Sequence, residues 1–232
     1  MKMKFFILFI TFCIISHASI IAQVQSIQGN VKVKHQNSFK KKKLKNNTKI
    51  NDGDLITTYK NATAILKLID GSKVILKNSS TIHFKSLTNL EQKSGKIFYQ
   101  ITSRNAKNSL KVKTPFAIIG IKGTTFIINA TNNYRVSLKE GVIGVQSLKE
   151  EFELYQETQN KEFENFKKKD SSSFEEYKNK HNKSLIKRLK EFDLDAGNTL
   201  IFNGLKVNKK DTTSINNAEF LYFEKLISET DE

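Results

Sequence analysis

The sequence predicts a mainly β protein, built as a β-sandwich, a β-roll or a short β-solenoid, with an inserted α-helical hairpin and a short C-terminal helix. Three observations lead to this fold class. Short apolar and β-branched runs recur over residues 23–148, separated by glycines and asparagines at the roughly eight- to twelve-residue spacing typical of all-β domains. Over residues 149–192 the apolar residues recur instead at steps of three and four, which is a helical period. After residue 193 the strand pattern returns.

The first 22 residues predict a signal peptide. Two lysines precede the uncharged apolar run 5–15, which has the length of a signal-peptide hydrophobic region and is shorter than the roughly 20 residues needed to span a bilayer. The small residues Ser16 and Ala18 favour cleavage after Ala18, and the alternatives are cleavage after Ala22 or retention as an anchor. We therefore expect a periplasmic or secreted protein without a stable transmembrane helix.

Composition divides the rest of the chain into a β domain (23–148), a helical hairpin (149–192) and a region of returning strands with a C-terminal helix (193–232). The β domain carries 22 Lys and Arg against five Asp and Glu, so the positive charge of the protein is concentrated there. Within it, Asp70-Gly71 separates two apolar runs, which is typical of a two-residue hairpin turn in which both residues have positive φ.

The period of residues 149–192 predicts two amphipathic helices, near 149–168 and 173–192, folded back on each other; one continuous helix is the alternative. Ser172 and Ser173 each precede a glutamate by three positions, which is a capping-box pattern. The aromatic stripe favours packing within the protein, and a partner-binding face is the alternative. The candidate partner contacts are Phe152, Tyr155, Phe163, Phe166, Phe174 and Tyr177.

The stretch VKTPFAIIGIKGTTFIINA contains Pro115, the only proline of the chain. Because proline has no N–H to donate to a sheet, we expect Pro115 at the start of a strand or at a corner, with Thr114 extended before it. We expect Gly120 and Gly123 at tight bends between stacked strands, where close backbone approach excludes a Cβ.

The order of these motifs resembles the FecR domain, a periplasmic β-rich module found in iron-transport signalling proteins and other exported bacterial proteins. The resemblance covers about residues 27–148 and implies that the helical hairpin is an insertion before the strand LDAGNTLIF. Signalling members have a cytoplasmic sigma-factor-binding segment before a transmembrane helix, and the four residues before the apolar run here imply an exported FecR-like protein without it. The motif residues, for which a structural role is implied, are Gly53, Asp54, Asp70, Gly71, Gly95, Thr114, Pro115, Gly120, Gly123, Thr124 and Gly141.

No pattern in the sequence predicts catalysis. The four histidines are not spaced as metal ligands, no Ser-His-Asp arrangement or nucleophile elbow is present, and Cys13, the only cysteine, lies in the signal segment. We therefore predict a non-enzymatic protein with no catalytic residues, no metal and no cofactor.

Charge is the property that points to a partner. The segment FKKKKLKNNTK would attract polyanions, and export and the lack of interleaved aromatics argue against nucleic acid. We predict a scaffold or binding module for an anionic cell-envelope polymer or an envelope protein; the alternative is a regulator that contacts a membrane-bound partner through the helical insertion. A biased lysine-rich composition that protects a strand edge would also explain the segment. The candidate anion-binding residues are Lys40, Lys41, Lys42, Lys43, Lys45 and Lys49.

Overall fold

The computed structural model describes residues 19–102, 109–156, 186–212 and 214–231, and in them two β-sheets pack face to face with one helix on the outside. The elements are β1 (Ile20–Gln28), β2 (Val31–Lys34), β3 (Lys42–Lys43), β4 (Lys49–Asn51), β5 (Asp54–Thr58), β6 (Thr63–Leu68), β7 (Lys73–Leu76), β8 (Thr81–Ser86), β9 (Asn89–Gln100), β10 (Leu110–Lys113), β11 (Ile118–Ile121), β12 (Thr125–Ala130), β13 (Arg135–Glu140), β14 (Val142–Gln146), β15 (Phe152–Gln156), β16 (Ile186–Leu189), β17 (Glu191–Asp195), β18 (Asn198–Asn203), β19 (Lys206–Asp211) and α1 (Ser214–Asp231). The prediction of a mainly β protein with a C-terminal helix is confirmed.

The strands form sheet A, in the order β4–β1–β6–β7–β9–β12–β13–β18–β19–β15–β16, and sheet B, in the order β3–β2–β5–β8–β9–β10–β11–β14–β17. The pairs β9–β10 and β15–β19 are parallel and the others are antiparallel. The first half of β9 lies in sheet B and its second half in sheet A, so one hydrogen-bonded ladder connects all 19 strands. Of the described strands, β3 ends sheet B and β4 ends sheet A on the same side of the molecule.

One hydrophobic core lies between the two sheets. Strand side chains alternate between the two faces, so every second residue of β2 and β5 is buried. Leu66 and Phe126 from sheet A meet Ile56 and Phe84 from sheet B in this core, and none of the four is exposed. At about 25 cal/mol per Å² of apolar surface removed from water, this burial is the main force that holds the sheets together.

Helix α1 covers the outer face of sheet A. Phe98 stacks on Phe223 with ring centroids 5.0 Å apart and meets Phe220 edge-on at 6.3 Å. Glu219 of α1 pairs with Lys96 and, at 3.3 Å, with Arg135. The helix therefore buries the middle of the outer face of sheet A, over β6, β7, β9 and β12. Sheet B has a solvent-facing side. No helix in the described part of the chain combines the length and the apolar character needed to cross a membrane.

Glycines occupy the corners where the chain passes from one sheet to the other. Gly95 divides the two halves of β9 at φ +87°, and a Cβ there would lie 2.3 Å from Ser80 Cα. Gly141 joins β13 of sheet A to β14 of sheet B at φ +83°, and a Cβ there would lie 2.6 Å from the Gly123 carbonyl oxygen and from Thr124 Cγ2. An L side chain at either position would meet both the left-handed backbone penalty and a steric clash.

Gly120 does not lie at a bend, contrary to our expectation. It occupies the middle of β11, its φ is outside the left-handed region, and a Cβ would make only an ordinary 3.8 Å contact with the Gly144 carbonyl oxygen. The turn at Asp70-Gly71 also differs from the prediction. Only Gly71 has positive φ, at +84°, and the Gly71 N–H donates to the Leu68 carbonyl, so the turn is longer than two residues.

The prediction of helices at 149–168 and 173–192 is wrong wherever the structure describes these residues. Residues 152–156 form β15 and residues 186–189 form β16, and the two strands pair with each other. Tertiary context overrides the helical period because β15 also pairs with β19, so its alternate side chains enter the sandwich core. Phe152 is therefore buried at 1% exposure and is not a surface contact, and Tyr155 is half-buried. Four candidate contacts lie outside the described residues: Phe163, Phe166, Phe174 and Tyr177.

Candidate functional site

The most prominent chemical feature of the surface is a group of exposed lysines, which we call the lysine end. It follows β2 along the chain, and the edge strands β3 and β4 carry three of its members. Leu44 anchors the segment, because its side chain is buried and its N–H donates to the Val31 carbonyl oxygen at 2.9 Å. The lysine end consists of Lys40, Lys41, Lys42, Lys43, Lys45 and Lys49, all of which are exposed.

The charges of the lysine end are not balanced locally. None of its six ammonium groups forms an ion pair with a carboxylate of the described residues. The β2–β3 register places Lys43 directly opposite Lys32. Like charges that face each other across two strands destabilise the pairing, and a bound anion would relieve this repulsion.

Tyr59 orders two of the cations near this surface. The Nζ atoms of Lys32 and Lys41 lie 5.4 and 5.8 Å from the centre of its ring, within the range of cation–π contacts. This contact holds Lys41 near the body of the protein without neutralising it. The lysine end is therefore partly preorganised and remains positive.

Sequence reasoning missed Phe39, which directly precedes the lysines. Its side chain is 99% exposed, the largest exposure of any large hydrophobic residue in the described structure. The signal was present in the sequence, because a phenylalanine directly precedes four consecutive lysines.

Most of the motif residues lie in turns or at corners, and Gly120 in the middle of β11 is the exception. Asp54 is buried and accepts hydrogen bonds from the Asn51 N–H and the His35 ring nitrogen, both at 3.0 Å. Thr114 Oγ1 accepts hydrogen bonds from the N–H groups of Phe116 and Ala117, and the exposed Pro115 lies in this turn between β10 and β11, where no ladder donor is needed. The carboxylate and the hydroxyl thus satisfy local backbone donors.

A shallow depression of about 560 Å³ lies on the solvent-facing side of sheet B. Its floor is the backbone at Gly120 and Gly144, which are in register. The same cross-strand row places Lys111 on one side and Asp193 on the other. A cation and a carboxylate thus flank an open strip of backbone.

A smaller depression of about 340 Å³ lies beside the Asp70 turn. Ser72 Oγ donates to Asp70 Oδ2 at 2.9 Å and accepts a hydrogen bond from the Thr102 N–H at 3.1 Å. These hydrogen bonds tie the turn to Thr102.

His83 and Glu91 form a second polar cluster, on sheet B. His83 Nδ1 lies 3.5 Å and Lys85 Nζ 3.2 Å from Glu91 Oε2. Burial alone would raise the pKa of Glu91, but the hydrogen bond from Lys85 and the charge of Lys93 outweigh it and lower that pKa. No group of three or more His, Cys, Asp or Glu side chains within the described ranges is arranged to hold a metal ion.

A known protein family matches the part of the chain that contains Gly95 and Gly141, the two glycines at the corners between the sheets. Residues 54–144, from β5 into β14, match the model described as FecR protein. This segment matches the FecR family. The resemblance proposed from the sequence motifs is thereby confirmed over these residues, and the lysine end lies just before the FecR segment.

Two solved structures are similar to the chain. Both are crystal structures of a protein described as a "putative anti-sigma factor" from Parabacteroides distasonis ATCC 8503, at 1.65 and 2.50 Å resolution. Each is 15% identical, with TM-scores of 0.49 and 0.47 and 72% of this chain covered. The chain spans 64% and 63% of the length of those two chains, less than two thirds of each. No curated protein matches the chain.

Proposed function

We propose that the protein is a non-enzymatic binding module of the bacterial envelope, periplasmic or secreted, that holds an anionic partner at its lysine end. The observation that carries this proposal is a cluster of six exposed lysines without a described carboxylate in ion-pair reach, with Lys43 facing Lys32. A field of this kind concentrates polyanions at the surface and accelerates their association. The two-sheet core and the glycine corners supply a rigid frame.

Export is part of the same proposal. Cleavage after Ala18 would leave β1 whole, whereas cleavage after Ala22 would remove Ile21 and Ala22, both fully buried and both in β1. The first described backbone N–H, that of Ser19, donates to Asp52 Oδ1 at 2.9 Å. An ammonium group created at Ser19 by cleavage would therefore meet a carboxylate.

Sedimentation with purified cell wall and binding to purified lipopolysaccharide, each at about 20 and about 300 mM salt, test the proposal. We expect salt-sensitive binding, because screening shortens the reach of exposed charges. Changing Lys40, Lys41, Lys42 and Lys43 together to Gln should abolish it. The matched fourfold change of exposed lysines outside the lysine end to Gln should not, and these are Lys111, Lys113, Lys122 and Lys206. Equal loss in both variants, or no binding by the wild type to either material, would refute the role of the lysine end.

A regulatory role with a membrane-bound protein partner is the second candidate, and the FecR match at 54–144 favours it. The sequence predicts that Phe152 contacts this partner through the helices of the insertion, but it is buried in β15 and cannot make that contact. If a protein is the partner, a cross-linkable residue placed at exposed Lys42 should capture it in cells. Capture from exposed Lys111 instead would favour a contact on the open face of sheet B.

A further inference from the structure

Phe39 is exposed to a degree that folded proteins rarely allow for an aromatic side chain. Its exposure is 99%, whereas Leu221, the next most exposed large apolar side chain among those described, reaches 65%. An isolated exposed leucine needs no explanation, but an aromatic ring held wholly in water beside four consecutive lysines forms a distinct chemical pattern.

Local hydrogen bonds hold the ring outward. We call residues 35–41 the Phe39 loop. Asn37 has φ +61°, the Ser38 N–H donates to the His35 carbonyl oxygen at 3.1 Å, and the Lys40 N–H donates to Ser38 Oγ at 3.2 Å. His35 in turn contacts the buried Asp54 carboxylate at 3.0 Å. The loop is thus closed on itself and anchored at its start, so it presents Phe39 without further ordering.

We propose that the Phe39 loop docks on a membrane surface, with Phe39 entering the interfacial region of a bilayer that contains anionic lipids and Lys40–Lys43 lying at the level of the headgroups. The proposal rests on the proposed function and names the partner class of the same lysine end. A hydrated polymer would attract the lysines but would offer the ring no apolar medium. A bilayer interface accommodates both the ring and the lysines. Aromatic rings partition into it, and the negative surface potential adds favourable binding free energy for each nearby lysine.

The chain contains no tryptophan, so a single Phe39→Trp substitution creates a clean reporter. The probes are vesicles of phosphatidylglycerol and phosphatidylcholine at about 3:7, and vesicles of phosphatidylcholine alone. We expect the emission of Phe39→Trp to shift to the blue, and to be quenched by brominated acyl chains, only with the anionic vesicles. The matched control is Leu221→Trp on α1, whose emission should not change. Unshifted emission of Phe39→Trp on anionic vesicles that bind the protein would overturn the proposal.

Vesicle flotation measures the contribution of each chemical group. Phe39→Ala should weaken partitioning to anionic vesicles about tenfold. A ring in the interface gains about half of the free energy that a phenylalanine side chain gains on full transfer from water to an apolar medium, and the substitution removes this gain. Changing Lys40–Lys43 to Gln should weaken it more than a hundredfold, at about fivefold per lysine. Leu221→Ala should have no effect. All three sites are exposed, so circular dichroism should show unchanged folds.

The outcomes separate the two proposals. If Phe39→Ala binds anionic vesicles like the wild type while salt-sensitive binding to purified cell wall, which has no acyl chains, persists, membrane docking is wrong and the proposed function stands. If the wild type binds neither vesicles nor envelope polymer, both are wrong. If Phe39→Ala loses vesicle binding but keeps binding to purified cell wall, membrane docking is supported, because the ring then matters only where an apolar medium is present.

Discussion

An added methyl group at Gly141 should destabilise the sandwich by about 2–5 kcal/mol. The left-handed backbone at φ +83° accounts for about 1–2 kcal/mol of this, since it is unfavourable for any residue with a Cβ. The rest comes from the 2.6 Å approach of the new Cβ to the Gly123 carbonyl oxygen and to Thr124 Cγ2. Thr124 is 2% exposed, so it has little room to move, and overpacking of this kind costs about 1–3 kcal/mol.

Two further glycines separate the contributions. Gly71 has φ +84° but no atom lies within 4 Å of the position that a Cβ would take, so Gly71→Ala should lose only the backbone part, about 1–2 kcal/mol. Gly120 has neither positive φ nor a close contact, so Gly120→Ala should be neutral or stabilising by up to about 1 kcal/mol. The assay is urea unfolding followed by circular dichroism. The reasoning fails if Gly120→Ala is as destabilising as Gly141→Ala, or if Gly141→Ala costs no more than Gly71→Ala.

Three further predictions concern the frame and its maturation. Replacing residues 157–185 with a short glycine-containing turn should leave unfolding cooperative and change the free energy of unfolding by no more than about 1 kcal/mol, because β15 and β16 already pair. A non-cooperative transition would contradict this. If the protein is exported as proposed, the intact mass of the protein recovered outside the cytoplasm should correspond to a chain that starts at Ser19, and a start at residue 23 would show that the buried part of β1 is dispensable. Gln92→Leu should cost about 3–5 kcal/mol, since Gln92 bonds the Tyr99 hydroxyl and two buried carbonyls. Adding Tyr99→Phe to that variant should recover part of the loss, and a purely additive result would argue against the network.

The parts of the fold that sequence predicts best are those set by local rules. The strands can be predicted from the alternation of apolar and polar residues, and the breaks between them from glycines such as Gly95, whose positions require a positive φ. The C-terminal helix follows from the spacing of Phe220, Phe223 and Ile227, which all face sheet A.

The failures occur where distant contacts decide the outcome. Phe152 and Tyr155 fit a helical stripe, yet pairing with β19, more than fifty residues later in the chain, makes them part of a strand. Gly120 shares a motif with true corners, and only the register with Gly144 reveals it as the floor of a depression. The lysine end could be named from sequence, but the exposure of Phe39 depends on a loop closed by Ser38 and on an edge strand of two residues.

Lysine reactivity in the presence of a partner tests the central claim most directly, namely that a rigid sandwich makes its contact through the lysine end. Acetylation rates of individual lysines, measured by mass spectrometry with and without anionic vesicles or purified lipopolysaccharide, compare all sites in one experiment. We expect protection at Lys40–Lys43, Lys45 and Lys49, with unchanged rates at Lys111 and Lys113. Equal protection along the chain, or protection confined to the open face of sheet B, would contradict the claim.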